Sequence, residues 1–160
     1  MIAGIICEYN PMHNGHIYHI EKTKAAGADF IVCVMSGNFV QRGEGALVDK
    51  WQRAEVAIKG GADVVLDLPT PWAMASAENF ARGSVSLLST FGVDVVSFGS
   101  ETENEALLCL CAEAAEKNEV ISLVKDYMSK GFNYPAALCE SVGQIYGEKA
   151  KKVISSPNST

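Results

Sequence analysis

Four short apolar runs, each followed by a stretch with helical spacing, fill residues 1–102 and leave few folds open to this chain. The runs at 2–8, 30–35, 62–66 and 94–98 are continuous rather than alternating, which is how strands covered on both sides read. Between them the spacing predicts helices over 13–26, from an Asp49 cap to 59, from a Ser76 cap to 91, and onward from 103. Glycines follow at 27 and 60–61, where such helices stop. Strand–helix alternation of this kind implies an α/β fold: a mostly parallel sheet with helices on both faces and right-handed crossovers. The alternation then ends. Residues 103–149 show only helical periodicity, in three segments broken at Lys117-Asn118 and at 131–135, and 154–160 reads as a polar tail. A 160-residue chain suits one domain. The expected organisation is an α/β core over 1–102, with 103–160 a short helical region and tail of the same domain.

The first run breaks at Asn10-Pro11 and resumes as a helix near His13. A buried strand that turns sharply into a helix is an anion-binding device, because first-turn N–H groups lack backbone partners and the dipole favours negative charge there. His13 and His16 lie one turn apart and share a face, and Gly15 between them removes a side chain where a flat group could approach. His13-Asn14-Gly15-His16 forms a HxGH pattern. Imidazoles suit this position because a phosphate under attack gains negative charge, which preset donors stabilise. Two rival readings stand beside this one. The histidines are plain surface residues, or Cys7, His13, His16 and His19 hold a metal. The rotation of the three histidines around the helix spreads them too far for a compact ligand set, so no metal site is expected.

In open α/β sheets ligands sit beyond the carboxyl ends of the strands. Those ends carry Tyr9-Asn10, Ser36-Gly37, Asp67 and Gly99-Ser100. The polar, Gly-rich segment 36–48 is long for a connection in a compact domain, and such loops are functional or mobile. Arg42, Lys50 and Arg53, in or just after it, offer cations for phosphate or carboxylate, with surface solvation as the alternative for each; Arg42 is the best placed. Gly99 is either a neighbour of adenine or ribose or an ordinary turn glycine. Asp67 holds Mg²⁺ or caps the following turn, and the turn is favoured. Trp51 and Trp72 stack on a base or pack on the protein, and packing is favoured.

The formal net charge of −6 argues against a domain that grips nucleic acid unaided. The five cysteines have no framework spacing, which fits reduced thiols in a cytoplasmic protein. Met1 leads straight into a strand with no basic leader, and no apolar run is long enough to span a bilayer.

Several motifs then converge. Glu8-Tyr9-Asn10-Pro11 with HNGH, and Met35-Ser36-Gly37-Asn38-Phe39-Val40-Gln41-Arg42-Gly43-Glu44, are joined by Lys50-Trp51, Gly61-Ala62-Asp63, Leu68-Pro69 and Phe80-Ala81. Phe98-Gly99-Ser100-Glu101, Tyr134-Pro135-Ala136 and Pro157-Asn158 continue the set. On these the chain resembles the HIGH-superfamily nucleotidyltransferases, and among them the tRNA(Met) cytidine acetate ligases, over nearly its whole length. The resemblance implies a Rossmann-like fold of the HUP/nucleotidyltransferase kind. It implies an ATP-dependent ligase that activates acetate as acetyl-adenylate and passes the acetyl group to N4 of the wobble cytidine of elongator tRNA(Met). It also implies that Ile6, Cys7, Glu8, Tyr9, Asn10, Pro11, Met12, His13, Asn14, Gly15, His16, Ile17, Tyr18 and His19 line the ATP site. Gly99 would contact adenosine and Asn158 would reach the nucleotide, with Mg²⁺ escorting the triphosphate. His13 and His16 would be the catalytic pair. Other assignments compatible with the residues are transfer of AMP or CMP onto a phosphorylated small molecule, and a non-catalytic nucleotide-binding module. Family members run on well beyond this length, into a helical region that binds tRNA. Gly45 replaces a frequent proline, and Ser159 a frequent asparagine. The expectation is therefore a fragment or shortened form, with most tRNA contacts elsewhere.

Overall fold

The computed structural model describes residues 1–41, 43–100, 102 and 104–155. Arg42 and Asn158, two of the expected site residues, lie outside the described residues, as do Glu101 and Pro157. The chain divides into two compact units, Met1–Phe98 and Gly99–Thr160.

The first unit runs β1 (Ile2–Cys7), α1 (Asn14–Ala25), β2 (Phe30–Ser36), α2 (Lys50–Lys59), β3 (Val64–Leu68), α3 (Thr70–Ala73), α4 (Ala77–Phe91) and β4 (Val95–Val96). The sheet order is β3-β2-β1-β4, and every pairing is parallel. β1 and β2 pair from Ile2↔Phe30 to Cys7↔Met35. Because side chains alternate across a strand, this register sorts the apolar residues into two layers. Ala3, Ile5, Cys7, Ile31, Cys33 and Met35 face α1 and α2, which contribute Ile20 and Ala57. Val32 and Val34 face the other way, with Leu88 of α4 and Leu68. Helices on both faces are thus a direct product of the unbroken apolar runs.

Three boundaries differ from the sequence reading. β3 starts at Val64, not 62, because Ala62 N–H closes the turn that ends α2 by bonding Ala57 O. β3 also continues through Asp67, whose carboxylate lies on the strand's accessible side with Lys50 Nζ 2.5 Å away. Asp67 therefore does not cap a turn. β4 is only two residues long, but Asp94 N–H to Ile2 O and Ser97 N–H to Gly4 O carry its alignment further in both directions. A one-turn helix, α3, follows β3, opened by Pro69 with Pro71 near its start. Ser76 stands at the cap of α4 but makes no side-chain cap bond, whereas Asp49 does cap α2, accepting from Trp51 N–H at 2.8 Å. Trp72 packs on α4: a Cβ at Gly83 would lie 2.6 Å from its ring, so glycine is what lets the indole sit there.

The second unit is all helical, with α5 (Glu105–Ala115), α6 (Asn118–Ser129), α7 (Tyr134–Tyr146) and α8 (Glu148–Ile154). Its core gathers Cys111, Ala114, Val120, Val124, Ala137, Val142, Ala150 and Ile154. Three helical segments were expected, and four are found among the described residues. Gly147, at φ 86, breaks the third, and α8 runs on to Ile154 where a tail was read.

Candidate nucleotide site

The site is assembled where β1 ends. Beyond Cys7 the backbone leaves the sheet, and Tyr9 takes a left-handed conformation at φ 45. That conformation costs a non-glycine residue about 1–3 kcal/mol and persists only where packing over-determines it. Here the ring is 2% exposed, with its hydroxyl 3.5 Å from Cys33 Sγ and its face 4.9 Å from the His16 ring. Asn10 follows, and its Oδ1 accepts Leu47 N–H at 2.7 Å. Met12 turns inward and packs against the core.

α1 then opens with a capping box built from histidines. His13 is the N-cap, not the first helical residue. Its Nδ1 accepts Gly15 N–H at 3.1 Å, and His16 Nδ1 accepts His13 N–H at 3.2 Å. The rings stack, centroids 3.7 Å apart and planes 26° from parallel. Two N–H groups that a helix start leaves without partners are satisfied this way. The arrangement also settles the tautomer. An Nδ1 that accepts cannot carry the proton, so each neutral ring holds its hydrogen on Nε2, at the opposite edge. Two donors are thereby preset by the backbone itself. Gly15 is bare for a different reason from the one expected: a Cβ there would lie 3.0 Å from His13 Cε1, so the space serves the capping ring.

Burial, followed by the neighbouring His13 and His19, holds the His16 pKa below the usual histidine value, so the ring is neutral at pH 7. Because the folded value is depressed, the unfolded chain binds more protons in the window between the two values. Stability from His16 is complete above the unfolded value of about 6.5 and is lost as the pH falls from there to the folded value. Protonating Nδ1 would also remove the acceptor for His13 N–H. Imidazole nitrogen NMR at pH 7.5 is expected to show the Nε2–H tautomer for both rings. ATP should raise the His16 titration midpoint, since an anion favours the cation. An Nδ1–H pattern at either ring would contradict the capping box.

The long loop is an ordered hairpin in its described part. Phe39 and Gly45 form an antiparallel bridge, Val40 N–H bonds Glu44 O at 3.0 Å, and Ala46 N–H bonds Asn38 O at 2.9 Å. Glu8 fastens it: Oε1 accepts Gln41 N–H at 2.6 Å and the Ser36 hydroxyl at 3.3 Å. Arg53, read as a phosphate or carboxylate ligand or a solvated cation, is none of these. It is 2% exposed and donates to the carbonyls of Val48, Glu8, Ser36 and Gly37.

Together these elements enclose a cleft of about 570 Å³, lined by Ile6, Cys7, Glu8, Tyr9, Asn10, Pro11, His13, His16, Val40, Gln41, Glu44 and Phe80. That lies within the range of small-molecule sites. The structure thus gathers eight of the expected site residues. Met12, Asn14, Gly15, Ile17, Tyr18, His19 and Lys50 are not among the lining residues. Tyr18 is exposed, with Lys22 Nζ 5.3 Å over its ring. Lys50 is committed to Asp67. His19 Nε2 lies 2.9 Å from Ser97 Oγ, which is 2.6 Å from Thr23 Oγ1, and that hydroxyl donates to His19 O at 2.9 Å. Trp51, expected to pack, is 74% exposed, with Lys50 Nζ 5.3 Å over its ring. Gly99 begins the second unit, and among the described residues none lies within 4 Å of a Cβ placed there. The sequence reading missed Val40, Gln41, Glu44 and Phe80 as wall residues. All four stood inside quoted motifs, but the signal that the loop folds back, the Glu8–Gln41 bond, is tertiary.

Among the described residues no three His, Cys, Asp or Glu side chains come together as a metal-holding group. Glu8 and Glu44 are acidic residues that line the cleft, a donor type that suits a hard cation such as Mg²⁺.

Comparison with known proteins agrees with this geometry. The chain is 50% identical over 140 residues to a tRNA(Met) cytidine acetate ligase of Acetivibrio thermocellus, covering 85% of this chain and 34% of that protein. It is 44% identical over 163 residues to the same-named protein of Clostridium novyi, covering 98% of this chain and 41% of that one. It therefore spans well under half the length of these relatives. The crystal structure of Thermotoga maritima TmcAL bound with alpha-thio ATP superposes with a TM-score of 0.83 at 37% identity, over 99% of this chain and 40% of that one. The family profile described as HIGH Nucleotidyl Transferase matches residues 1–160. With that profile spanning the whole chain, the chain belongs to the HIGH nucleotidyltransferases.

Proposed function

We propose that the cleft binds ATP and catalyses attack of acetate on its α-phosphate, giving acetyl-adenylate and pyrophosphate. The acetyl group then passes to N4 of the wobble cytidine of elongator tRNA(Met), releasing AMP and the amine proton, with a longer protein supplying most tRNA contacts. The observation that carries this reading is the pair of stacked imidazoles whose Nδ1 atoms are spent on the backbone, leaving two Nε2–H donors on the wall of the cleft.

Acetate is ionised at neutral pH, so the attack needs no general base. One acetate oxygen forms the bond to phosphorus, and the α–β bridging oxygen leaves with pyrophosphate. The catalytic work is orientation and charge stabilisation. His13 and His16 donate to phosphate oxygens through Nε2–H. Mg²⁺, when bound, neutralises the triphosphate. The chain from Ile6 to His19 forms or backs the nucleotide site, with Arg42 assigned to phosphate or acetate. A cytoplasmic location follows from the tRNA substrate. Among the described residues no helix is long and apolar enough to cross a membrane.

ATP–pyrophosphate exchange tests the reading. Exchange that appears only with acetate supports it. Exchange that ignores acetate but responds to an alcohol phosphate points to nucleotidyl transfer. ATP binding without exchange marks a non-catalytic module.

A further inference from the structure

Arg53 is not among the residues that line the cleft, yet it holds the parts that make the cleft's wall. Its Nε–H bonds Val48 O at 2.9 Å; one terminal nitrogen bonds Glu8 O at 2.6 Å and Ser36 O at 3.0 Å; the other bonds Gly37 O. Ser36 and Gly37 begin the long loop and Val48 ends it, so one guanidinium closes the loop at its base. Glu8 belongs to the segment after β1, and its carboxylate fastens the loop's middle through Gln41 N–H. The guanidinium thus holds the backbone of the residue that clamps the hairpin.

We infer that Arg53 is a positioning residue of the nucleotide site, acting through Glu8 and the 37–48 loop to place Val40, Gln41 and Glu44 against the nucleotide. This rests on the reading of the cleft as an ATP site. Arginine suits the task because four carbonyls from three chain segments converge on its planar fork. Lysine has three donors at one point and cannot span them. Removing the group leaves carbonyls at the ends of β1 and β2 without donors, and Glu8 and Gln41 lose their shared geometry.

The test uses Arg53→Ala and Arg53→Lys in this full chain, well below each variant's melting temperature. Amide hydrogen exchange at Gln41 is compared with exchange at Val32 and Val34 in β2, and ATP affinity is measured beside it. We expect faster exchange at Gln41 with the β2 amides unchanged, and ATP binding weakened by about tenfold or more in Arg53→Ala. Millimolar guanidinium should restore binding where ammonium does not. If Arg53→Ala does not fold, Arg53→Lys decides: unchanged exchange at Gln41 overturns the proposal. ATP affinity within about twofold of the parent in a folded variant overturns it as well, leaving Arg53 a purely stabilising residue. Should the parent bind no ATP, the ATP reading fails, while the Gln41 comparison still judges Arg53.

Discussion

Replacing His13 with asparagine is expected to leave the protein folded and to lower acetate-dependent pyrophosphate exchange by about 10²–10³-fold, the usual cost of one lost transition-state donor. Asparagine is among the best N-caps, so its Oδ1 can take over the bond from Gly15 N–H that His13 Nδ1 makes at 3.1 Å. It lacks the distant Nε2–H, and its short side chain does not reach where that hydrogen lies. Cap and chemistry are thereby separated. His16→Ala removes both functions, so it should add a stability loss of about 0.5–2 kcal/mol to a similar loss of turnover. Thermal melts run beside exchange assays tell the two apart. Exchange within about threefold of the parent in His13→Asn would end the role assigned to that ring.

The second large effect concerns the fold. Ile31→Ala is expected to cost about 2–5 kcal/mol, because the side chain is 0% exposed and the space it leaves cannot readily collapse. Its backbone is held on both sides by Asp63, whose carboxylate accepts Ile31 N–H at 2.8 Å and whose N–H bonds Ile31 O at 2.9 Å. For a unit of this size the melting temperature should fall by about 4–8 °C per kcal/mol. Ile58→Ala, on the exposed side of α2, should change stability by less than about 0.5 kcal/mol. Urea titrations of both variants give the comparison, and near-equal midpoints would contradict the two-layer core.

How far the sequence reached follows from the range of the forces involved. β1 and β2 were legible because strands buried on both faces must be apolar throughout, and that pattern needs no partner to be seen. The Asp49 cap was legible because capping is local. β3 was misplaced by two residues because its start is set by a backbone bond back to Ala57 and by Asp63 meeting Ile31 across the sheet. Asp67 and Lys50 were read separately, though each is explained by the other. Arg53 misled most. A cation near a polar loop reads as surface, and only the converging carbonyls of four distant residues make its burial tolerable. At the site, spacing put His13 and His16 on one face and both line the cleft, but His13 as a cap and Phe80 as a wall depend on a turn and a helix packing that spacing does not encode.

The third histidine of α1 answers acid differently from the first two. Thr23's one hydroxyl hydrogen goes to His19 O, so Ser97's must go to Thr23, and His19 must donate from Nε2. Each hydrogen in that closed circuit has a single destination, and Nδ1 stands outside it. A proton added there leaves the circuit whole, whereas a proton on His16 Nδ1 removes the acceptor for His13 N–H and unfastens the helix start. Mild acid should therefore loosen the leading turn while the tie to the end of β4 endures, so that the helix frays from its ligand end first.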